Sequence, residues 1–106
     1  MRAYHATSAS NIPSILEEGL KSMWEGVYLT DSEESACRWM GFRLAAVGEP
    51  VMAVIEVEVN EYDTVEGMDH SPLMEQIFGV GKSILHPKSI KPEKIINVNY
   101  YRLNQK

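Results

Sequence analysis

One run of residues limits what this chain can become more than any other. From Val51 to Val59, the residues Val51, Ala53, Ile55, Val57 and Val59 alternate with Met52, Val54, Glu56 and Glu58. A period of two places the first set on one face of a strand and the second set on the other. The first face is wholly apolar, and the second turns from apolar to charged along its length. Such a strand is half-buried toward its end, and it is the clearest strand of the chain.

The rest of the chain reads as elements that can surround this strand. Arg2 to His5 is a short first strand. Ser8 to Leu20 reads as a helix, capped by Asn11 or Ser10, with Pro13 in the first turn where a missing N–H costs nothing. Ile12, Ile15, Leu16 and Leu20 form its apolar face, and Gly19 lies near its end, where a left-handed residue is often needed. Gly26 to Thr30 is a second β-type run. Asp31 with Glu34 makes a capping-box pattern for a helix to about Val47, with Cys37, Met40, Leu44 and Val47 on its buried stripe. Gly48-Glu49-Pro50 stops it. Asn60 to Pro72 reads as loop, Met74 to Phe78 as a short helix and Gly79-Val80-Gly81 as a turn. Lys82 to His86 and Lys94 to Arg102 are strands separated by a corner at Pro87 and Pro92. The pattern alone leaves open whether the helices are parallel crossovers or pack beside an antiparallel sheet. A glycine-rich phosphate cradle after the first strand is lacking, which argues against a dinucleotide-binding fold of the Rossmann type.

Composition narrows the class. With 106 residues, 44% hydrophobic and 24% charged, the chain reads as one domain spanning 1–106. A net charge of −5 argues against coating of a nucleic-acid duplex. The single cysteine, Cys37, excludes an internal disulfide and a Cys-rich zinc site. Met1-Arg2-Ala3-Tyr4-His5 has no apolar signal region, and no apolar run approaches the roughly 20 residues of a membrane span. These features lead to the expectation of a cytoplasmic protein with no membrane and no metal partner.

A few residues have the chemistry of a site. His5 ends the first strand and its imidazole can donate a hydrogen bond to a ribose hydroxyl, while the backbone at Ala6 and Thr7 can pair with a carboxamide. Tyr28 points opposite to Val27 and Leu29 and offers a flat ring to a planar heterocycle. Trp39 and Arg43, with Arg38, lie on the second helix, where a ring could close over a ligand and a guanidinium could meet a phosphate. Taken singly, each reads more readily as an ordinary structural or surface residue. Glu56 and Glu58 are the wet side of their strand, His70 and His86 are isolated, and Cys37 is an apolar filler. Gly79-Val80-Gly81-Lys82-Ser83 lacks the upstream glycine of a phosphate loop, since position 76 is Gln.

In order, Tyr4-His5-Ala6-Thr7, the helix Ile12 to Leu20, the strand Gly26-Val27-Tyr28-Leu29-Thr30-Asp31 and the lead-in Ile90-Lys91-Pro92-Glu93-Lys94-Ile95-Ile96 resemble the ADP-ribosyltransferase superfamily. That group includes poly-ADP-ribose polymerases, RNA 2′-phosphotransferases and DNA-modifying bacterial toxins. The resemblance implies an α+β fold with a split, mostly antiparallel sheet and two main helices in the N-terminal half. It implies NAD in the cleft, with His5 on the nicotinamide ribose, Ala6 on the carboxamide, Thr7 beside both and Tyr28 stacked on the nicotinamide. Trp39 falls near a second stacking position. The glutamate of active polymerase-like members falls at Lys82 or Ser83 here, and Glu75, several residues upstream, is the carboxylate available for its role. The phosphotransferase branch would instead use Arg2, His5, Arg38 and Arg43 around a phosphate. The function implied is NAD-dependent transfer of ADP-ribose to a protein or nucleic acid. The alternatives are a degenerate module that holds NAD or ADP-ribose, and a small inhibitor or interaction protein on the same scaffold.

Overall fold

A computed structural model of the chain describes residues 1–22, 26–66 and 83–103. Its elements are β1 (Arg2–Ser8), α1 (Ile12–Glu18), β2 (Val27–Thr30), α2 (Glu33–Ala46), β3 (Val51–Glu58), β4 (Val65–Glu66), β5 (Ser83–His86) and β6 (Ile95–Arg102). The strands form one sheet in the order β4-β5-β2-β1-β3-β6, and every pairing is antiparallel. The fold is therefore α+β, with both α-helices of the described residues in the N-terminal half. The expected elements at Met74–Phe78 and Gly79–Gly81, with His70, Glu75 and Lys82, lie outside the described residues.

The alternating run becomes the interior strand β3. Ala53, Ile55 and Val57 are fully buried on one face, and Met52 and Val54 on the other. The first face joins Ala3, Ile12, Leu20, Val27, Leu29, Val59 and Ile90 in a core beneath α1. The second face packs with Ala6 and Ala36 beneath α2, and Cys37, Met40 and Leu44 close around them. Glu56 and Glu58 stand at the polar end, where Arg2 Nη1 meets Glu56 Oε2 at 3.2 Å and the N-terminal ammonium meets Glu58 Oε1 at 3.3 Å.

Several boundaries differ from the sequence reading, each for a local reason. β1 runs to Ser8 rather than ending at His5, because β3 offers it partners from Arg2↔Glu58 through Ser8↔Met52. The helix therefore begins later: a 3₁₀ turn at Ala9–Asn11 precedes α1. Asn11 makes no side-chain cap there; its Nδ2 donates to Thr7 Oγ1 at 2.9 Å instead. Leu16 is 52% exposed, since α1 is only 7 residues long and turns a single stripe to the sheet. The cap of α2 is Ser32 rather than Asp31: Ser32 Oγ accepts from the Ser35 N–H at 3.1 Å. Val47 is 76% exposed because it lies past the last turn of α2.

Gly19 closes α1 as its composition suggests. Its φ is +82°, and a Cβ there would lie 2.1 Å from the Ile90 carbonyl oxygen. That approach is fixed by the Leu20–Ile90 bridge, whose two N–H···O bonds measure 2.8 and 2.7 Å. Gly48 has a similar φ of +85° with nothing near it. Gly19→Ala is expected to lower the unfolding free energy by about 2 kcal/mol or more, and Gly48→Ala by only about 1 kcal/mol, in urea titrations of the two variants.

Candidate functional site

The sheet is continuous, but it is not evenly stitched. β1 is zipped to β3 over its whole length, while its pairing with β2 is confined to Tyr4↔Thr30. Past that point the two strands part, and the β2 side of His5–Thr7 has no ladder. α2 stands over the gap. The result is a cleft of 280 Å³ whose walls include His5, Ala6, Thr7, Tyr28, Trp39 and Arg43. Sequence reasoning named these six residues for binding, and the fold brings all six to one cavity.

His5 spans the gap. Its Nδ1 lies 2.8 Å from the Tyr28 carbonyl oxygen. A carbonyl oxygen only accepts, so Nδ1 carries the hydrogen. Burial lowers the pKa of the ring below its ordinary value, and the bond to Tyr28 opposes this more weakly. In the neutral ring Nε2 is then an acceptor. This corrects the expectation of a donated hydrogen bond: with Nδ1 on the Tyr28 carbonyl, the neutral ring has only an acceptor left at Nε2.

Tyr28 is 38% exposed and shares its face of the sheet with Thr30, opposite to buried Val27 and Leu29. Two turns into α2, Trp39 lines the cleft, and the Arg43 guanidinium carbon sits 4.8 Å from its ring centroid. That stacking holds a cation at the mouth of the cleft. The other arginines are used elsewhere: Arg38 Nη2 pairs with Glu34 at 2.6 Å, and Arg2 pairs with Glu56. Neither lines the cleft, so the four-residue phosphate site of Arg2, His5, Arg38 and Arg43 is not assembled. Ser83 begins β5 opposite Thr30, next to the closed end of the gap.

Tyr4, Thr30 and Ala36 also line the cleft, although residue type alone does not single them out. Strand alternation could have found Tyr4, which shares a face with Ala6. Burial, then the neighbouring Glu56 that accepts its hydrogen bond, raises the Tyr4 pKa. A second polar group beneath α2 was also hidden. Asn99 Nδ2 donates to Glu33 Oε1, and the Tyr101 hydroxyl bonds Glu33 and Cys37. The bond to Glu33, followed by burial, pushes Tyr101 up to about 12. Burial raises the Cys37 thiol, in keeping with a structural role.

Among the described residues no group of three or more His, Cys, Asp or Glu could hold a metal ion, and no helix is long and apolar enough to cross a membrane. None of the described residues lining the cleft is a carboxylate.

The lowered His5 pKa has a defined consequence for stability. The unfolded chain binds a proton near pH 6.5 while the folded chain resists it, so this contribution is full above that pH and is lost as the pH falls toward the folded value. His5→Gln removes the titration and keeps a donor for Tyr28. Its unfolding free energy is expected to fall less steeply than that of the wild type below about pH 6.5, as followed by urea denaturation at a series of pH values.

Compared with models of known protein families and with curated proteins, the chain matches no family model and no curated protein.

Proposed function

We propose that the chain is an ADP-ribosyltransferase-like protein that takes the nicotinamide-ribose end of NAD into the β1/β2 cleft and transfers ADP-ribose to a macromolecular acceptor. What supports this reading is one observation: residues far apart in sequence, 5–7, 28, 39 and 43, line a single cavity where two strands part. Their chemistries divide the ligand between them. The Tyr28 ring offers a face to a planar cation. The β2 side of the backbone at Ala6 and Thr7, which carries no ladder, suits a carboxamide, and Nε2 of His5 suits a ribose hydroxyl. Arg43 at the mouth suits a phosphate. A volume of 280 Å³ lies just below the roughly 300–1,000 Å³ of small-molecule pockets, a size that suits one ring and its sugar rather than a whole dinucleotide.

Transfer needs the bond between nicotinamide and C1′ to break while positive charge grows on the sugar. A carboxylate near the ribose would stabilise that charge. Glu75 is the residue available for that role in the sequence. The lack of a carboxylate among the described lining residues favours, as the second reading, a module that holds NAD or ADP-ribose without turnover. An inhibitor using the scaffold alone has no need of an open cavity here.

Titration with NAD, followed by calorimetry or Trp fluorescence, tests the reading. His5→Ala and Tyr28→Ala are each expected to weaken binding by about tenfold or more, since each removes a polar or stacking contact worth about 1–2 kcal/mol. Release of nicotinamide by the wild type together with ADP-ribose bound to an acceptor, both lost in Glu75→Gln, would make the protein a transferase. Saturable binding without release would make it a module, and no binding of NAD or ADP-ribose would dismiss both.

A further inference from the structure

The two edges of the sheet are finished in different ways. At one edge β4 is 2 residues long and carries Glu66, so it offers little for another strand to pair with. At the other edge β6 is 8 residues long, Ile95–Arg102, with no proline and no charge before Arg102. Ile95, Ile96, Val98, Tyr100 and Tyr101 are residues that favour strands. β6 is paired with β3 along its inner side, and the Leu103 N–H continues the ladder to the Pro50 carbonyl at 2.9 Å. Among the described residues nothing pairs with its outer side. Long uncharged edges are the ones natural sheets otherwise protect with Lys, Pro or a short strand.

The sequence of β6 indicates what pairs with it. The register with β3 slips between Glu56 and Val57, so Ile96 has no direct partner and regular pairing runs from Asn97 to Arg102. Two copies of this stretch, antiparallel about a twofold axis at Asn99, set Val98 against Tyr100 twice on the α1 side of the sheet. On the α2 side they set Asn97 against Tyr101 twice. Arg102 then meets Ile96, and Lys94 falls outside the paired stretch. An axis at Val98 would instead oppose Lys94 and Arg102, two like charges. Val98 is half-buried against the core, while Tyr100 is 57% and Ile96 44% exposed, so the pairing would cover apolar surface that the single chain leaves open.

We infer that β6 is a self-association edge, at which a second copy of this chain adds its own β6 antiparallel about Asn99 and extends the sheet to twelve strands, two sets of the six in one copy. The interface is isologous, as a closed twofold pair requires. It lies at β6, two strands from the gap between β1 and β2.

Sedimentation equilibrium of the full chain over a range of concentrations tests this. The expected result is a rise from 12.0 kDa toward twice that mass, with the dissociation constant about tenfold weaker in Tyr100→Lys, which loses two cross-strand pairs from an exposed position. A second variant locates the register. In a Cys37→Ser background, Asn99→Cys lies opposite its own copy and is expected to crosslink on mild oxidation, while Arg102→Cys is not. Thermal unfolding of each variant separates failure to fold from failure to pair. A monomer at every concentration would leave the edge to a strand of another protein and overturn the inference. So would a dimer indifferent to Tyr100→Lys that crosslinks at 102 rather than 99.

Discussion

The ladder between β1 and β3 organises the molecule. It joins the N-terminus to the middle of the chain through unbroken pairing from Arg2↔Glu58 to Ser8↔Met52. β2 follows β1 only at Tyr4↔Thr30, and along Val27–Thr30 it pairs with β5. Beyond Tyr4↔Thr30 the two strands part, and the cleft occupies the gap between them. His5 closes the inner part of that gap with one hydrogen bond, which spares the Tyr28 carbonyl the cost of a missing partner.

The polar contacts beneath α2 show how the helix is held over this space. Ala36, Met40 and Leu44 give it an apolar seat on the sheet, and Glu33 at its first turn is gripped by Asn99 and Tyr101 from β6. Glu33 also lies where a carboxylate favours the helix N-terminus. The helix is therefore fixed at its beginning by charge and along its length by packing, and Trp39 and Arg43 come from its exposed later turns. The roof of the cleft and the outermost strand are thus mechanically joined, although they lie on opposite sides of β3.

Much of this architecture can be read from residue order. The alternation from Val51 to Val59, the glycine at 19 and the short β-runs at Gly26–Thr30, Lys82–His86 and Lys94–Arg102 are local signals, and each corresponds to an element or a turn. The ends of α1 and α2 are less legible, because Asn11, Ser10, Asp31 and Ser32 are all acceptable caps and only tertiary pairing decides among them. The length of β1 is illegible for the same reason: Ala6, Thr7 and Ser8 become strand because Val54, Ala53 and Met52 lie opposite. The candidate site divides likewise. His5 and Tyr28 stand out by type and place, whereas Tyr4, Thr30 and the Glu33–Asn99–Tyr101 contacts depend on residues brought together from distant parts of the sequence.

The strand order has a consequence for how the chain comes into being. The most extensive pairing made by β1 is with a strand that follows two helices and another strand. During synthesis the first eight residues therefore emerge long before anything can stabilise them, and α1 has no sheet to rest on until β3 arrives. Closing so wide a loop costs entropy before it is repaid by burial. The pairing of β1 is complete only once Glu58 has been made. Acquisition of structure by the N-terminal half is then expected to be late and concerted rather than progressive, with β3 as the piece whose arrival lets the rest assemble.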